Sequence, residues 1–450
     1  MKDSIDFGKT NISTLFRRFL LPTVIGMVFS AVFVITDGIF VGKGIGSDAL
    51  AAVNITAPLF MVTTGIGLMF GVGASVVASI HLAHGKPQIA NINITQALVF
   101  SSIFVLLLSF LCCLFIEPVG KWLGSSERLL PNVITYMMWY VPFLVFYLLL
   151  NAGMFFIRLD GSPTYAMLCN AIAAILNILL DYIFIFQLGW GLMGAAFATS
   201  LGTMVGGLLT IIYLHYFSHT LHLCPIKISR KSIQFTLRNI SYMVKLGSSA
   251  FVSEISIAFM MFLGNYVFIN RLGEDGVAAF SIACYFFPII FMVYNAIAQS
   301  GQPIISYNFG IKNKVRIRQT THLMIKTALI CGISFFIVTA LFKHQIVTLF
   351  IKPEYAAYQI ATAGIPYFAF GFLFFAVNMV AIGYYQSIGC ARLATLITLL
   401  RGIPFMSIGF LLLPLILGTK GIWLAVPLAE LLTLLFIGGI YIKGILQNKT

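Results

Sequence analysis

Four carboxylates and one guanidinium fall inside long apolar runs of a chain in which only 9% of 450 residues are charged. The acids are Asp37, Asp181, Glu254 and Glu430, and the base is Arg401. An ionised carboxylate at the centre of a bilayer costs ~3 kcal/mol even on insertion scales. Such groups must therefore line a wet cavity, face one another or carry a proton. Four acids against one base predict an interior that responds to cations.

Asn177 and Asp181 are spaced i, i+4 in Asn177-Ile-Leu-Leu-Asp181, which puts both on one face of a helix. A carboxamide oxygen beside a carboxylate can begin a small-cation site, because hard cations take oxygen ligands. The same pair can act as a hydrogen-bonded proton carrier, or as a plain polar clamp between helices. Thr199, in the next apolar run, is a candidate further oxygen ligand. Asp37 sits near the end of the first run, and Pro22 precedes it by about four turns. A proline lacks the N–H and crowds the preceding turn, so this helix can bend there. Glu254 is a candidate for substrate or second-lobe cation binding, with a buried structural glutamate as the rival. Arg401 and Glu430 lie on neighbouring runs and are expected to form one structural ion pair locking two helices.

Other patterns point away from enzyme chemistry. No G-x-S-x-G or comparable nucleophile–base motif is present. His215, His219 and His222 have helical spacing at the end of a run and read as a solvated helix end. The seven cysteines are odd in number and lack metal-ligand spacing, so neither a disulfide framework nor a metal site is expected beyond a possible Na+. Gly65, Gly67, Gly71 and Gly73 lie within one apolar run and read as a close helix-packing face. An enzyme is not expected, nor any resident cofactor.

The elements that must position these residues follow from composition. Hydrophobic residues make up 60% of the chain and mean hydropathy is +1.00, whereas soluble domains are about half apolar and about a quarter charged. A spanning helix needs roughly 20 apolar residues. Twelve runs qualify, near 16–41, 48–82, 91–116, 129–157, 162–187, 191–217, 241–270, 276–307, 316–342, 355–387, 390–417 and 421–443. Uninterrupted runs such as FLVFYLLLNAGMFF exclude the alternating strands of a membrane barrel. The N-terminal MKDSIDFGKTNIS lacks the apolar core of a cleavable signal, so the first run is expected to remain as a helix.

The polar stretch 218–240 separates two sets of six runs, and landmarks repeat across it. Asp48-Ala-Leu-Ala-Ala matches Asp275-Gly-Val-Ala-Ala, Arg158-x-x-Gly161 matches Gln386-x-x-Gly389, and Gly191-Leu-Met-Gly-Ala matches Gly421-Ile-Trp-Leu-Ala. The expected fold is an all-α integral membrane protein. Its twelve transmembrane helices form two pseudo-symmetric six-helix lobes, 1–217 and 241–450, joined by a cytoplasmic linker at 218–240. An even number of helices per lobe gives both one orientation, with the symmetry axis along the membrane normal and a central cleft.

The net charge of +14 is a topology signal. Nineteen Lys and Arg fall on one side of the threaded chain and seven on the other. The richer side is cytoplasmic and holds both termini. Nucleic acid is excluded as a partner by this placement.

Together these residues resemble the multidrug and toxic compound extrusion (MATE) transporters. The resemblance rests on the two-times-six layout with its basic central loop, Asp48-Ala-Leu-Ala-Ala, Arg158-x-x-Gly161-x-Pro163, Asn177-Ile-Leu-Leu-Asp181, Gly191-Leu-Met-Gly-Ala-Ala196, Gln386-Ser-x-Gly389 and Gly421-Ile-Trp423. It covers nearly the whole chain. It implies a bacterial inner-membrane antiporter, similar to the DinF-like branch. Such a carrier exports organic cations and amphipathic drugs in exchange for H+ or Na+, as a monomer in contact with membrane lipid. By position, the coupling role carries over to Asp37, Asn177, Asp181 and Thr199, the bend to Pro22, and the span-seven glutamate of the NorM-like branch to Glu254. That branch also uses an aspartate in span ten, where this chain has only Asn378 and no acid. Its second-lobe site is therefore incomplete here. The alternatives are a flippase for lipid-linked oligosaccharides or lipids of the same superfamily, which needs basic residues in its cleft, and an intramembrane enzyme, whose constellation is not visible.

Overall fold

The computed structural model describes residues 6–226, 229–350 and 352–447. The extreme ends assigned to the cytoplasmic face, 1–5 and 448–450, lie outside them, as do residues 227 and 228 of the polar stretch. Eleven helices among the described residues are long and apolar enough to span a membrane, and a bent pair makes a twelfth. They are α1 (Ile12–Gly44), α2 (Asp48–Ala83), α3 (Pro87–Leu114), α4 (Leu130–Leu159), α5 (Pro163–Gln187), α6 (Gly191–Phe217), α7 (Ser232–Gly273), α8 (Asp275–Gly310), α9 (Lys314–Leu341), α10 (Ala356–Ala369 with Gly371–Ser387), α11 (Ala391–Leu417) and α12 (Ala425–Ile442). Lipid offers the backbone no hydrogen bonds, so uninterrupted apolar sequence folds as self-satisfied helix. The segments of α10 meet at 41°, with Phe370 between them.

α1 begins on an Asn11 cap, whose Oδ1 accepts from Ser13 N at 2.9 Å and Thr14 N at 3.4 Å. It continues through Pro22 as one helix of 33 residues, about 50 Å long at 1.5 Å per residue. The α4–α5 and α10–α11 turns share one device. Gly161 (φ 89°) and Gly389 (φ 78°) both take the left-handed conformation that closes a helix. Ser162 N donates to Ile157 O at 3.1 Å, and Cys390 N donates to Tyr385 O at 2.9 Å, the same bond in each turn. The repeated glycine is thus a repeated helix stop.

The described residues fall into two compact units, one within 6–251 with 306–313, the other within 252–305 with 314–447. The boundary runs inside α7 and α8, and the polar stretch belongs to the first unit. Hydrogen bonds to α3 fasten it there. Gln96 Nε2 donates to Thr236 Oγ1 at 2.8 Å, Asn239 Nδ2 donates to Gln96 Oε1 at 3.2 Å, and Cys224 N donates to Thr95 Oγ1 at 3.1 Å. In this unit α5 packs between α1 and α6, while α4 packs on α2 and α6. In the second unit α10 packs on α9 and α12, and α12 also packs on α11. The glycines of α2 sit at close crossings: a Cβ at Gly71 would meet Phe155 and Ala152 of α4, and one at Gly65 would meet Phe251.

Candidate functional site

The first unit gathers Asp37 from α1, Asn177 and Asp181 from α5, and Thr199 from α6 into one buried cluster. Asn177 Nδ2 donates to Thr199 Oγ1 at 3.2 Å, and Thr199 Oγ1 donates to Asp37 Oδ1 at 3.3 Å. The Asp37 and Asp181 carboxyls are close neighbours. Both oxygens of Asp181 and Oδ1 of Asn177 are buried and accept no hydrogen bond from any described residue. Buried acceptors are almost always partnered, and leaving one unpaired costs ~1–3 kcal/mol. Three unpartnered acceptors beside a second carboxylate form an oxygen-rich cluster suited to a proton or a small hard cation.

Local sequence explains why these side chains meet. Gly202 and Gly206 lie on the α6 face that crosses α5. A Cβ at Gly202 would stand 2.8 Å from Ala173 O and 3.1 Å from Asn177 Cβ. Only a glycine lets α6 approach closely enough for Thr199 to reach Asn177. Asp181 ends the regular part of α5, and Tyr182–Gln187 continues as a π-helical turn, a distortion frequent at functional sites. Gly202→Val is expected to force α5 and α6 apart. It should lower thermal stability by ~1–3 kcal/mol, as overpacking does, and weaken transport more than folded yield. A melting curve beside a transport rate checks this, and an unchanged rate in the folded variant would contradict it.

The sequence did not single out Tyr136. Its hydroxyl lies beside Thr199 and both carboxyls, and Tyr140 is its neighbour one turn along α4. Both tyrosines are buried, and their rings lie 5.7 Å apart. Tyr147 continues the row, stacking on Phe60 at 4.1 Å and meeting Thr64 Oγ1 at 3.2 Å. The i, i+4 spacing of Tyr136 and Tyr140 was a visible signal, but eighteen tyrosines dilute it. A cavity of about 480 Å³ lies where α1 ends and α2, α4 and α6 begin. Asp48, Asn132, Thr135 and Trp190 line it, and Asp48 pairs with Arg128 at 3.0 Å. Ile45 on its wall is about 12 Å along α1 from Asp37, at 1.5 Å per residue.

The remaining acidic and basic candidates belong to the second unit. Glu254 is half-buried on α7. In the second unit Arg401 Nε donates to Glu430 Oε1 at 2.9 Å, and both side chains are buried. Among the described residues no group of three His, Cys, Asp or Glu could hold a metal ion. His222 Nδ1 instead meets Ser218 Oγ at 2.7 Å. Arg158, counted with the cytoplasmic charges, is buried with its guanidinium 5.2 Å from the Phe155 ring centroid. Asp160 is buried as well. It accepts from Tyr213 OH at 2.8 Å, His219 N at 2.7 Å, Thr220 N at 2.7 Å and Leu221 N at 2.9 Å.

Comparison with known proteins adds an independent line. A family profile described as MatE matches residues 22–183 and 249–417. A FAD transporter of Shewanella oneidensis is 27% identical over 358 residues, 78% of this chain and 77% of that protein. Multidrug export protein MepA of Staphylococcus aureus is 25% identical over 399 residues, 88% of this chain and 86% of that protein. The crystal structure of MATE in complex with MaL6 superposes with a TM-score of 0.87 over 100% of both chains at 22% identity, a likeness of fold.

Proposed function

The chain belongs to the MatE family of multi-span efflux transporters, and on that premise we propose that it is a secondary antiporter of the bacterial inner membrane. It exports cationic or amphipathic organic compounds in exchange for H+ or Na+, with both termini cytoplasmic, and works as a monomer in the lipid. The observation that carries this reading is the set of unpartnered buried acceptors, Asp181 Oδ1, Asp181 Oδ2 and Asn177 Oδ1, facing Asp37. Two adjacent buried carboxylates need a positive charge or a proton between them. An ion arriving from outside supplies it, and the cavity beside Asp48 offers an entrance at that end of α1.

Neutralising the pair removes the repulsion between Asp37 on α1 and Asp181 on α5. α1 then repacks on α5, with Pro22 as the point where it bends, and the carrier releases its substrate outward by alternating access. Exchange of one monovalent ion for one organic monocation moves no net charge. Each further ion imported adds about 2.3 kcal/mol per 100 mV of membrane potential.

The relative described as a FAD transporter makes an anionic substrate the main rival. Phosphate groups call for basic side chains at membrane depth. Arg401 is committed to Glu430, so the interior favours cations. The same argument weighs against a flippase for anionic lipids.

Vesicles loaded with a fluorescent dye cation, under an imposed Na+ gradient or an imposed pH gradient, test the reading. Efflux should follow one of the gradients and stop when an ionophore collapses it. Dye movement indifferent to both gradients would refute antiport, and FAD efflux without dye efflux would establish the rival substrate.

A further inference from the structure

The second unit holds a buried carboxylate beside a buried asparagine, as the first does. Asn378 Nδ2, on the second segment of α10, donates to Glu430 Oε2 at 2.7 Å and to the Glu430 carbonyl at 2.8 Å. Both side chains are fully buried. The repeat offset that carries Gly191 onto Gly421 carries Ser200, the neighbour of Thr199, onto Glu430. Asn378 Oδ1, like Asn177 Oδ1, is buried and accepts no hydrogen bond from a described residue.

The two units differ in what stands opposite the acid. Asp181 faces another carboxylate and accepts nothing. Glu430 faces Arg401, whose guanidinium is held on three sides. Nε donates to Glu430 Oε1 at 2.9 Å, Nη1 lies 3.3 Å from Met379 Sδ, and the group sits 4.6 Å from the Phe375 ring centroid. An arginine does not deprotonate in a protein, so this charge stays in place through a transport cycle. The other titratable groups nearby are Tyr294, whose hydroxyl donates to Phe372 O at 3.0 Å, and Cys331.

We infer that Arg401 is a tethered cation occupying the place of a mobile one, so that the second unit carries a latent ion site and the first unit alone exchanges ions. The inference rests on the ion-coupled reading of Asp37 and Asp181. Without the guanidinium, two Glu430 oxygens and Asn378 Oδ1 form an oxygen set fit for Na+, or Glu430 takes up a proton. A carboxylate stripped of its partner in a buried site is strongly destabilising. The stability of an Arg401→Met variant should therefore depend on the cation that replaces the arginine, by ligand linkage.

The test counts cations on the purified protein, as bound 22Na+ at equilibrium and as protonated-carboxyl bands in infrared difference spectra on acidification. The wild type should bind one cation. Asp37→Asn/Asp181→Asn, which leaves the second unit untouched, should bind none. Arg401→Met should bind two, and Arg401→Met/Glu430→Gln should return to one. The melting temperature of Arg401→Met should rise with Na+ or with acid, and that of the double neutral variant should rise no more than the wild type's. A cation retained by Asp37→Asn/Asp181→Asn, or a folded Arg401→Met that binds one, overturns the inference while leaving antiport standing. If Arg401→Met does not fold, Arg401→Gln, whose amide still donates to Glu430 without carrying a charge, is counted in its place, and a folded Arg401→Gln that binds one overturns the inference. A wild type that binds no cation by either readout overturns both readings.

Discussion

Asp181→Asn is expected to abolish ion-driven efflux while leaving a folded protein, with initial rates falling about a hundredfold or more, equivalent to ~3 kcal/mol. Asparagine matches aspartate in volume, so the fully buried site keeps its packing. It cannot bind a proton at neutral pH or balance a cation's charge, so the coupling step loses its driving interaction. Folding should not suffer, because a neutral amide beside Asp37 relieves the repulsion between two buried carboxylates. Asp37→Asn should behave similarly. Thr199→Val should cost less, about tenfold in rate or ~1.4 kcal/mol. It removes the hydroxyl that accepts from Asn177 and donates to Asp37 but spares both charges. Vesicle efflux under the effective gradient, read beside a melting curve, measures each. Wild-type rates in both Asp37→Asn and Asp181→Asn would end the first-unit coupling model.

The sequence exposed part of the buried polar cluster through intrahelical spacing but hid what tertiary rotation decides. Asn177 and Asp181 share a helix face at any packing angle, so their pairing was readable from i, i+4 spacing. Acids and amides at membrane depth are costly in themselves, which singles them out. The spans were readable for the same reason, since lipid leaves an apolar run little choice but helix. Tyr136 was not readable, because a tyrosine in an apolar run looks the same whether it meets lipid or Thr199. Its role depends on how α4 is turned about its axis. Gly202 resembles every other glycine until the atoms a Cβ would meet are known. The point where α7 passes from one unit to the other, between Phe251 and Val252, carries no change of composition because the helix continues through it. The partners of Asp160 were not readable either, because its four donors lie 53 to 61 residues away along the chain.

Asp160→Ala is expected to be the most damaging substitution outside the Asp37–Asp181 cluster, lowering stability by ~3–5 kcal/mol, the range for stripping a partner from a buried charged network. The carboxylate accepts four hydrogen bonds, three of them from consecutive backbone N–H groups at His219, Thr220 and Leu221. The fourth comes from Tyr213, whose hydroxyl also contacts Ser162 Oγ at 2.6 Å. Alanine leaves these donors without their acceptor, and Leu221, fully buried beside them, loses the bonds that seat it. Asp160→Asn should be milder, since its carbonyl oxygen still serves part of the set, but its amide N–H groups would oppose two donors. The consequence for transport follows from where the bonds run. They bind the α4–α5 turn to the segment leaving α6, and that segment continues through Cys224 and Thr236 onto α3. Under the proposed ion-coupled cycle, a helix bundle that moves as a body needs such cross-ties. Asp160→Ala protein that still folds should therefore show dye efflux less tightly tied to the ion gradient, and faster backbone hydrogen exchange over 213–224. Unchanged exchange in that segment, with wild-type melting, would show that the four bonds contribute nothing that water does not replace.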